Sequence, residues 1–459
     1  MRTAGANFCQ IEDRLIVGLV FPQHEVDKTD FTGLQEPILN TNIEPSLLAV
    51  LPPGDNVRYA HRHEELADIS DEDVELYLCS VYITGFRQFM EFAETVDSDK
   101  IVVGGVQPTM TPEWFDGLCW KIVRGLCDDA YATIGQDGDV VQGVVSYENL
   151  PRYDLYDVRY NSQIIPDRMH DETCSSINTS VGCVHNCEFC CTPVMYGRRI
   201  YKKPIEFLER EARLLVELNG TFDNVFIRDE NFLMLPDHVR RIETLNRVGL
   251  ARRYHCFASA DQVLRCDLPR LVENGLVLVN MDYGDPFKTY LKNDRIAKAC
   301  QLLRRHGILV QMSYIIDPTQ VLDRRNEDHA YDILEKMTRS CHPAMLSGNF
   351  LMPFPGTPIF ERYEIIDYDN YILKSPRLLV KDLEVCERME QKMFWFQQEY
   401  LESDFYNLEI RSFRNDPPDV LELKFDVLRR IFTDAAVKST FNGITFKSTT
   451  PPYRRLRRL

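Results

Sequence analysis

The stretch Ser175-Ser-Ile-Asn-Thr-Ser-Val-Gly-Cys-Val-His-Asn-Cys-Glu-Phe-Cys190 decides the reading of this chain, together with the segment Pro204-Ile-Glu-Phe-Leu-Glu-Arg-Glu-Ala-Arg-Leu-Leu-Val-Glu-Leu218 that follows it. The first seven residues, ahead of the cysteines, have the length of a strand. Pro204 opens a helix whose stripe is Ile205, Leu208, Ala212, Leu215 and Leu218, and Gly220 follows its end. The same strand-then-helix design recurs. Strands are expected at Ser175–Val181, Asn224–Asp229, Tyr254–Ser259, Val277–Asp282, Ile308–Ile316 and Met345–Leu351, with a further helix at Arg295–Gly307. Six such units predict an incomplete (β/α)6 barrel of α/β class, with its site at the C-terminal strand ends.

Cys183, Cys187 and Cys190 therefore fall in the loop after the first barrel strand. Three thiolates at Cys-x-x-x-Cys-x-x-Cys spacing can hold three irons of a [4Fe-4S] cluster and leave the fourth without a protein ligand. Two other readings stand beside this one. The thiols can be small apolar core residues. They can also belong to a zinc site, although zinc normally takes four ligands and the nearest fourth, His185, lies inside the run. Cys191 offers no second register, because that would require a cysteine at Val194.

The run Cys183-Val-His-Asn-Cys187-Glu-Phe-Cys190 resembles the signature of the radical S-adenosylmethionine (SAM) enzymes. The resemblance implies that the open iron chelates the methionine part of SAM. It implies that Phe189 lies near the adenine, and that the reduced cluster cleaves SAM to a 5′-deoxyadenosyl radical. Asp229-Glu-Asn-Phe232 looks like the turn after strand two in the cobalamin-linked members, where Asp229 and Glu230 would meet the SAM amino group or ribose. Asp282 ends strand four, where members of the resembled family often carry an acidic residue near SAM. Ser259, at the end of strand three, and Gln311 and Ser313, on strand five, are further candidate SAM contacts, the last two for its carboxylate. Phe350-Leu-Met-Pro-Phe-Pro-Gly-Thr-Pro358 resembles the turn that shapes the barrel mouth.

Residues 1–150 alternate apolar runs with helical stretches. Strands are expected at Leu15–Phe21, Val74–Tyr82, Ile101–Gly105 and Cys119–Val123, and helices at Ile43–Val50 and Phe86–Val96. This pattern predicts a doubly wound parallel sheet with its ligand at the strand ends. Val102-Val-Gly-Gly-Val-Gln-Pro-Thr-Met-Thr-Pro-Glu113 is similar to a stretch of cobalamin-binding domains that precede radical SAM barrels. That likeness implies a Rossmann-like cobalamin site at Gly104, Gly105 and Gly125. The Asp-x-His-x-x-Gly motif of other cobalamin proteins is absent. Residues 151–172 read as a linker, 173–363 as the barrel, and 364–459 as a helical C-terminal region with helices at 383–396 and 421–436 that cover the barrel's open side.

A net charge of −17 argues against a general nucleic-acid surface, the basic tail 453–459 apart. No stretch reaches a membrane span, and the N-terminus lacks an apolar signal core. Fourteen cysteines without an export signal fit a reducing cytoplasm. The resulting expectation is a cobalamin-dependent radical SAM methyltransferase that acts on a small molecule or peptide and takes electrons from an external one-electron reductant. Three alternatives remain. One is a radical SAM enzyme that performs cyclisation, ring contraction or epimerisation. Another is a tRNA methylthiotransferase-like enzyme, which would need a second cysteine triad that this chain lacks. The last is a non-catalytic cofactor-binding protein.

Overall fold

The computed structural model describes residues 15–21, 47, 49–52, 56–60, 68–155, 160–161, 173–284, 293–368, 371 and 375–401. The expected helix 421–436 and most of the expected helix 43–50 lie outside the described residues.

The N-terminal sheet has six parallel strands in the order β2-β1-β3-β4-β5-β6. They are β1 (Leu15–Phe21), β2 (Val57–Ala60), β3 (Val74–Val81), β4 (Ile101–Gly104), β5 (Lys121–Arg124) and β6 (Val140–Gln142). The central strands are buried almost throughout, as continuous Val, Ile and Leu runs covered on both faces must be. Val57–Ala60 and Val140–Gln142 were not expected as strands. They are short edge strands with exposed residues and give no apolar run. The strand order reverses between β1 and β3, which is where a doubly wound sheet opens a crevice. The helix Phe86–Ala93 lies directly on β1. A Cβ at Gly85 would stand 2.0 Å from the Phe21 carbonyl oxygen, so only glycine permits this approach.

The second sheet is ordered β15-β14-β13-β12-β11-β8-β7. Its strands are β7 (Tyr160–Asn161), β8 (Thr173–Ile177), β11 (Phe222–Ile227), β12 (Ala251–Phe257), β13 (Leu276–Asp282), β14 (Leu309–Ile316) and β15 (Met345–Phe350). All pair in parallel except β7, which joins β8 antiparallel. The expected linker thus contributes an edge strand, and its Tyr153 is buried against Glu211.

Alternation divides the second sheet's residues between two faces. Val225, Ile227, Tyr254, Cys256, Val279, Met281, Val310, Met312 and Tyr314 are nearly fully buried and belong to the core. On the other face Arg253, His255, Gln311, Ser313, Ser347 and Asn349 are only partly buried, and Phe257 and Asp282 are exposed. That face is an open, largely polar concavity.

Two expectations need correction. The first barrel strand ends at Ile177 instead of running to Val181. Asp229 draws Thr179 and Ser180 out of the strand, and β9 (Ser180–Val181) pairs antiparallel with β10 (Tyr201–Lys202). The helix Leu383–Leu401 does not cover the open side. Its Phe396 packs edge-on against Tyr314 and Tyr331, and its Tyr400 hydroxyl donates to the Pro343 carbonyl at 2.6 Å. Tyr314 points away from the concavity, so this helix lies on the convex side, in the place of a sixth barrel helix.

Candidate active site

The cysteine loop is an excursion whose ends are tied together. The β9–β10 ladder closes its base. Gly182, with φ +96°, begins it, and a Cβ there would stand 2.1 Å from the Arg199 carbonyl oxygen. Above this base lie Cys183, Cys187 and Cys190, with Cys187 exposed and the others half-buried. The Cys190 amide donates to the Cys187 carbonyl at 3.1 Å. Burial raises the Cys183 thiol, and the Glu230 carboxylate and Cys190 nearby raise it further. Burial also pushes the Cys191 thiol up, to about 12, and keeps it neutral.

Among the described residues, no three His, Cys, Asp or Glu side chains converge closely enough to hold a single metal ion. A zinc site gathers four donors about one point. A cube gives each thiolate its own iron, so its thiolates stand farther apart. Cys183, Cys187 and Cys190 share one short loop that is tethered at its base.

The turn after β11 supports the loop from below. Asp229 is fully buried. Its Oδ1 accepts from the Thr179 amide, and its Oδ2 accepts from the Thr179 and Ser180 hydroxyls, each at 2.6 Å. Burial raises this carboxyl, while the donors pull it back. The neighbouring Glu230 accepts from the Gly182 amide at 2.9 Å, and burial pushes it up to about 7. Both carboxylates are thus engaged with the chain that enters the cysteine loop. Arg241, 2% exposed, adds bonds to the Thr179 and Lys203 carbonyls at 2.9 and 3.0 Å.

The other expected contacts lie around the concavity. Phe189 is half-buried on the loop. Ser259 caps the turn after β12, and its hydroxyl accepts from Asn231 Nδ2 at 3.2 Å. Asp282 is exposed at the rim, yet the protein packed around its carboxyl raises it. Its Oδ1 accepts from the Gly284 amide at 2.7 Å and the Ser313 hydroxyl at 3.2 Å. Gln311 is two residues before Ser313 on β14, on the same face. Sequence reasoning missed Arg253, His255, Phe257, Asn280, Ser347 and Asn349 on this face. His255 stacks on Phe226, with ring centroids 4.7 Å apart and planes 7° apart. The available signal was the period-2 alternation of the strand residues Arg253-Tyr-His-Cys-Phe257.

The strand ends of the N-terminal sheet face the same region. The helix Val106–Met110 packs against Thr192–Tyr196, which follows the cysteine loop. A Cβ at Gly356 (φ +84°) would stand 2.8 Å from the Met110 carbonyl oxygen. Tyr82, just beyond β3, is pushed up to about 12 by burial, with Arg228 and Cys191 near enough to act on it. The three expected glycines divide into two kinds. A Cβ at Gly105 (φ +95°) would stand 2.9 Å from Ser80 Oγ, so Gly105 serves the chain's own packing. At Gly104 and Gly125 a Cβ would meet only ordinary contacts, at 3.7 and 3.9 Å, so neither glycine is required by the chain's own packing. Thr109 ties the turns together, donating to the Gly105 carbonyl at 2.7 Å and accepting from the Gly125 amide at 3.0 Å.

The model of the radical SAM superfamily matches residues 177–337, from the end of β8 into the helix Arg324–Cys341. This region is a radical SAM domain. Its chain is 26% identical over 206 residues to the hopanoid C-2 methylase of Rhodopseudomonas palustris, covering 41% of this chain and 37% of that protein. It is 22% identical over 306 residues to the bacteriochlorophyllide d C-12(1)-methyltransferase of Chlorobaculum tepidum, covering 59% and 62%. The chain therefore spans less than two thirds of either relative. In fold it resembles the cobalamin-dependent SAM radical enzyme OxsB, solved with aqua-cobalamin and SAM bound (TM-score 0.52, 14% identity, 91% of this chain and 70% of that one). Among the described residues, no helix is long and apolar enough to cross a membrane.

Proposed function

We propose that the protein is a cobalamin-dependent radical SAM methyltransferase that methylates an unactivated carbon of a small molecule or peptide. The observation that carries this reading is the meeting of two sets of strand ends. The cysteine loop of the radical SAM domain and the glycine turns after β4 and β5 border the same region. Cys183, Cys187 and Cys190 would hold the cluster. Gly104 and Gly125 would leave room for cobalamin over the N-terminal sheet, with Gly105 shaping the turn. When bound, a reduced [4Fe-4S] cluster supplies the electron that splits SAM to a 5′-deoxyadenosyl radical, and cobalamin supplies a transferable methyl group.

The chain's own residues bind and orient. Asp229 and Glu230 hold the entry to the loop. Asp282, steadied by Ser313, offers an acceptor to the SAM amino group, and Gln311 offers an amide to its carboxylate. Phe189 and Ser259 border the nucleoside end. The concave face with His255 and Phe257 receives the substrate and limits water. Electrons come from an external one-electron reductant. The methylase names of the relatives support methyl transfer over another radical reaction.

The test is anaerobic reconstitution with iron, sulfide and cobalamin, followed by turnover of SAM. Retained cobalamin, with 5′-deoxyadenosine and S-adenosylhomocysteine formed together on a substrate, is the expected result. Formation of 5′-deoxyadenosine without S-adenosylhomocysteine on any substrate would favour cyclisation, ring contraction or epimerisation. SAM cleavage that survives a triple change of the three cysteines to alanine would overturn the reading.

A further inference from the structure

Glu188 lies between two of the cluster cysteines, and its contacts leave the loop altogether. Its carboxylate takes a fork from the Arg362 guanidinium, with Nη1 to Oε2 at 2.7 Å and Nη2 to Oε1 at 3.0 Å. Its carbonyl accepts from the Ile359 amide at 3.3 Å. Arg362 and Ile359 stand 174 and 171 residues away in sequence, just after the Pro-Gly-Thr-Pro turn. That turn is stiff. Thr357 donates through its hydroxyl to the Phe354 carbonyl at 2.6 Å, and Gly356 rests on Met110 of the N-terminal region. The base of the loop is fixed by the β9–β10 ladder and by Asp229, and Glu188 is held on the far side of Cys187. The loop is thus anchored at its base and again at Glu188, between its second and third thiols, and the second anchor reaches a turn in contact with the helix Val106–Met110 of the N-terminal region.

We infer that Arg362 is a positioning residue for the cysteine loop. Its guanidinium fixes the backbone around Glu188 and so the separation of Cys187 and Cys190 before any iron arrives. A bidentate guanidinium–carboxylate fork defines direction as well as distance, which a lysine cannot reproduce. The pair is half-exposed and adds little to global stability, so its effect is local. The inference rests on reading the three cysteines as ligands, but its first readout needs no metal.

The experiment measures hydrogen exchange at the Cys190 amide, which bonds to the Cys187 carbonyl inside the loop, in iron-free protein. Arg362→Ala and Glu188→Gln should each speed that exchange about two- to fivefold, with the melting temperature nearly unchanged. Arg362→Lys should fall between alanine and wild type. The exchanged pair Glu188→Arg with Arg362→Glu should recover most of the protection lost in either single change. After reconstitution, the single variants should hold less iron than wild type, and the exchanged pair should regain it. Unchanged exchange in Arg362→Ala, or an exchanged pair no better protected than its singles, overturns the inference. Altered exchange with normal iron content overturns the link to the cluster. Failure of wild type to take up iron would refute the cysteine reading and leave the exchange result standing.

Discussion

Substitution at Asp229 separates a carboxylate that touches SAM from one that builds the loop. Three buried donors converge on it: the Thr179 amide and the hydroxyls of Thr179 and Ser180, all at 2.6 Å. Asp229→Ala leaves all three without this acceptor. At roughly 1 kcal/mol or more for each buried donor left unsatisfied, the loss is about 3–5 kcal/mol. At roughly 2–4 °C for each kcal/mol in a unit of this size, the melting temperature should fall by about 6–20 °C. Asp229→Asn keeps one oxygen for the Thr179 amide, and the two hydroxyls can turn to accept from the new amide. It should cost only about 1 kcal/mol.

The pH dependence follows the sign of the shift. Burial holds the folded Asp229 carboxyl above its ordinary value of 3.8, so the folded state binds this proton more readily than the unfolded chain. Wild type should therefore lose stability relative to Asp229→Asn as pH rises from 3.8 through the raised folded value. Differential scanning fluorimetry of iron-free protein measures both effects, and calorimetric titration with SAM after reconstitution supplies the contrast. If Asp229→Ala melts within about 1 °C of wild type yet loses SAM affinity, the carboxylate is a ligand and the argument from its three donors is wrong.

The remaining expectations concern cofactors and glycines. Single replacement of Cys183, Cys187 or Cys190 by alanine should abolish SAM cleavage, while Cys191→Ala should retain it; iron counting on wild type should give about four per chain, and a count near eight would refute a single cluster. Gly105→Ala, with φ +95° and Ser80 Oγ at 2.9 Å, should destabilise by about 1–3 kcal/mol in a thermal melt. Gly125→Ala meets nothing nearer than 3.9 Å and should cost only about 1 kcal/mol of left-handed backbone strain, yet lower cobalamin retention in gel filtration with visible absorbance. Undiminished retention would place cobalamin elsewhere. Asp282→Asn should weaken SAM binding about tenfold by calorimetry without a drop in melting temperature, because its carboxyl lines the concavity and its bonds among the described residues are to Gly284 and Ser313.

Much of this architecture was written in local patterns. The runs of β1, β3 and β4 are largely apolar and buried, and the cysteine spacing is self-announcing. Val57–Ala60 and Val140–Gln142 escaped because a three- or four-residue edge strand has no period to detect. The first barrel strand was read too long because Thr179-Ser-Val181 suits a strand, and only Asp229, about fifty residues later, bends it away. Asp229 shows the wider difficulty. An acidic residue at a strand end looks like a ligand in sequence, and its inward commitment depends on partners that folding brings to it. Glu188 and Arg362 carry no local signal at all. The concave-face polar set was readable in principle from alternation, but which face closes against helices is a tertiary fact.

The apolar core runs without interruption from the first sheet into the second, through Val123 and Tyr153 to Ile177 and Leu208. Such continuity bears on how a protein of this kind evolves. Removing the N-terminal sheet by recombination would leave the barrel with a raw apolar flank, which disfavours separating the two halves. A lineage that stopped using one cofactor would alter the few residues at the strand tips and keep the sheet as scaffold. The presence of the sheet in a descendant would then record its ancestry, and the glycine turns alone would report whether the old ligand is still wanted.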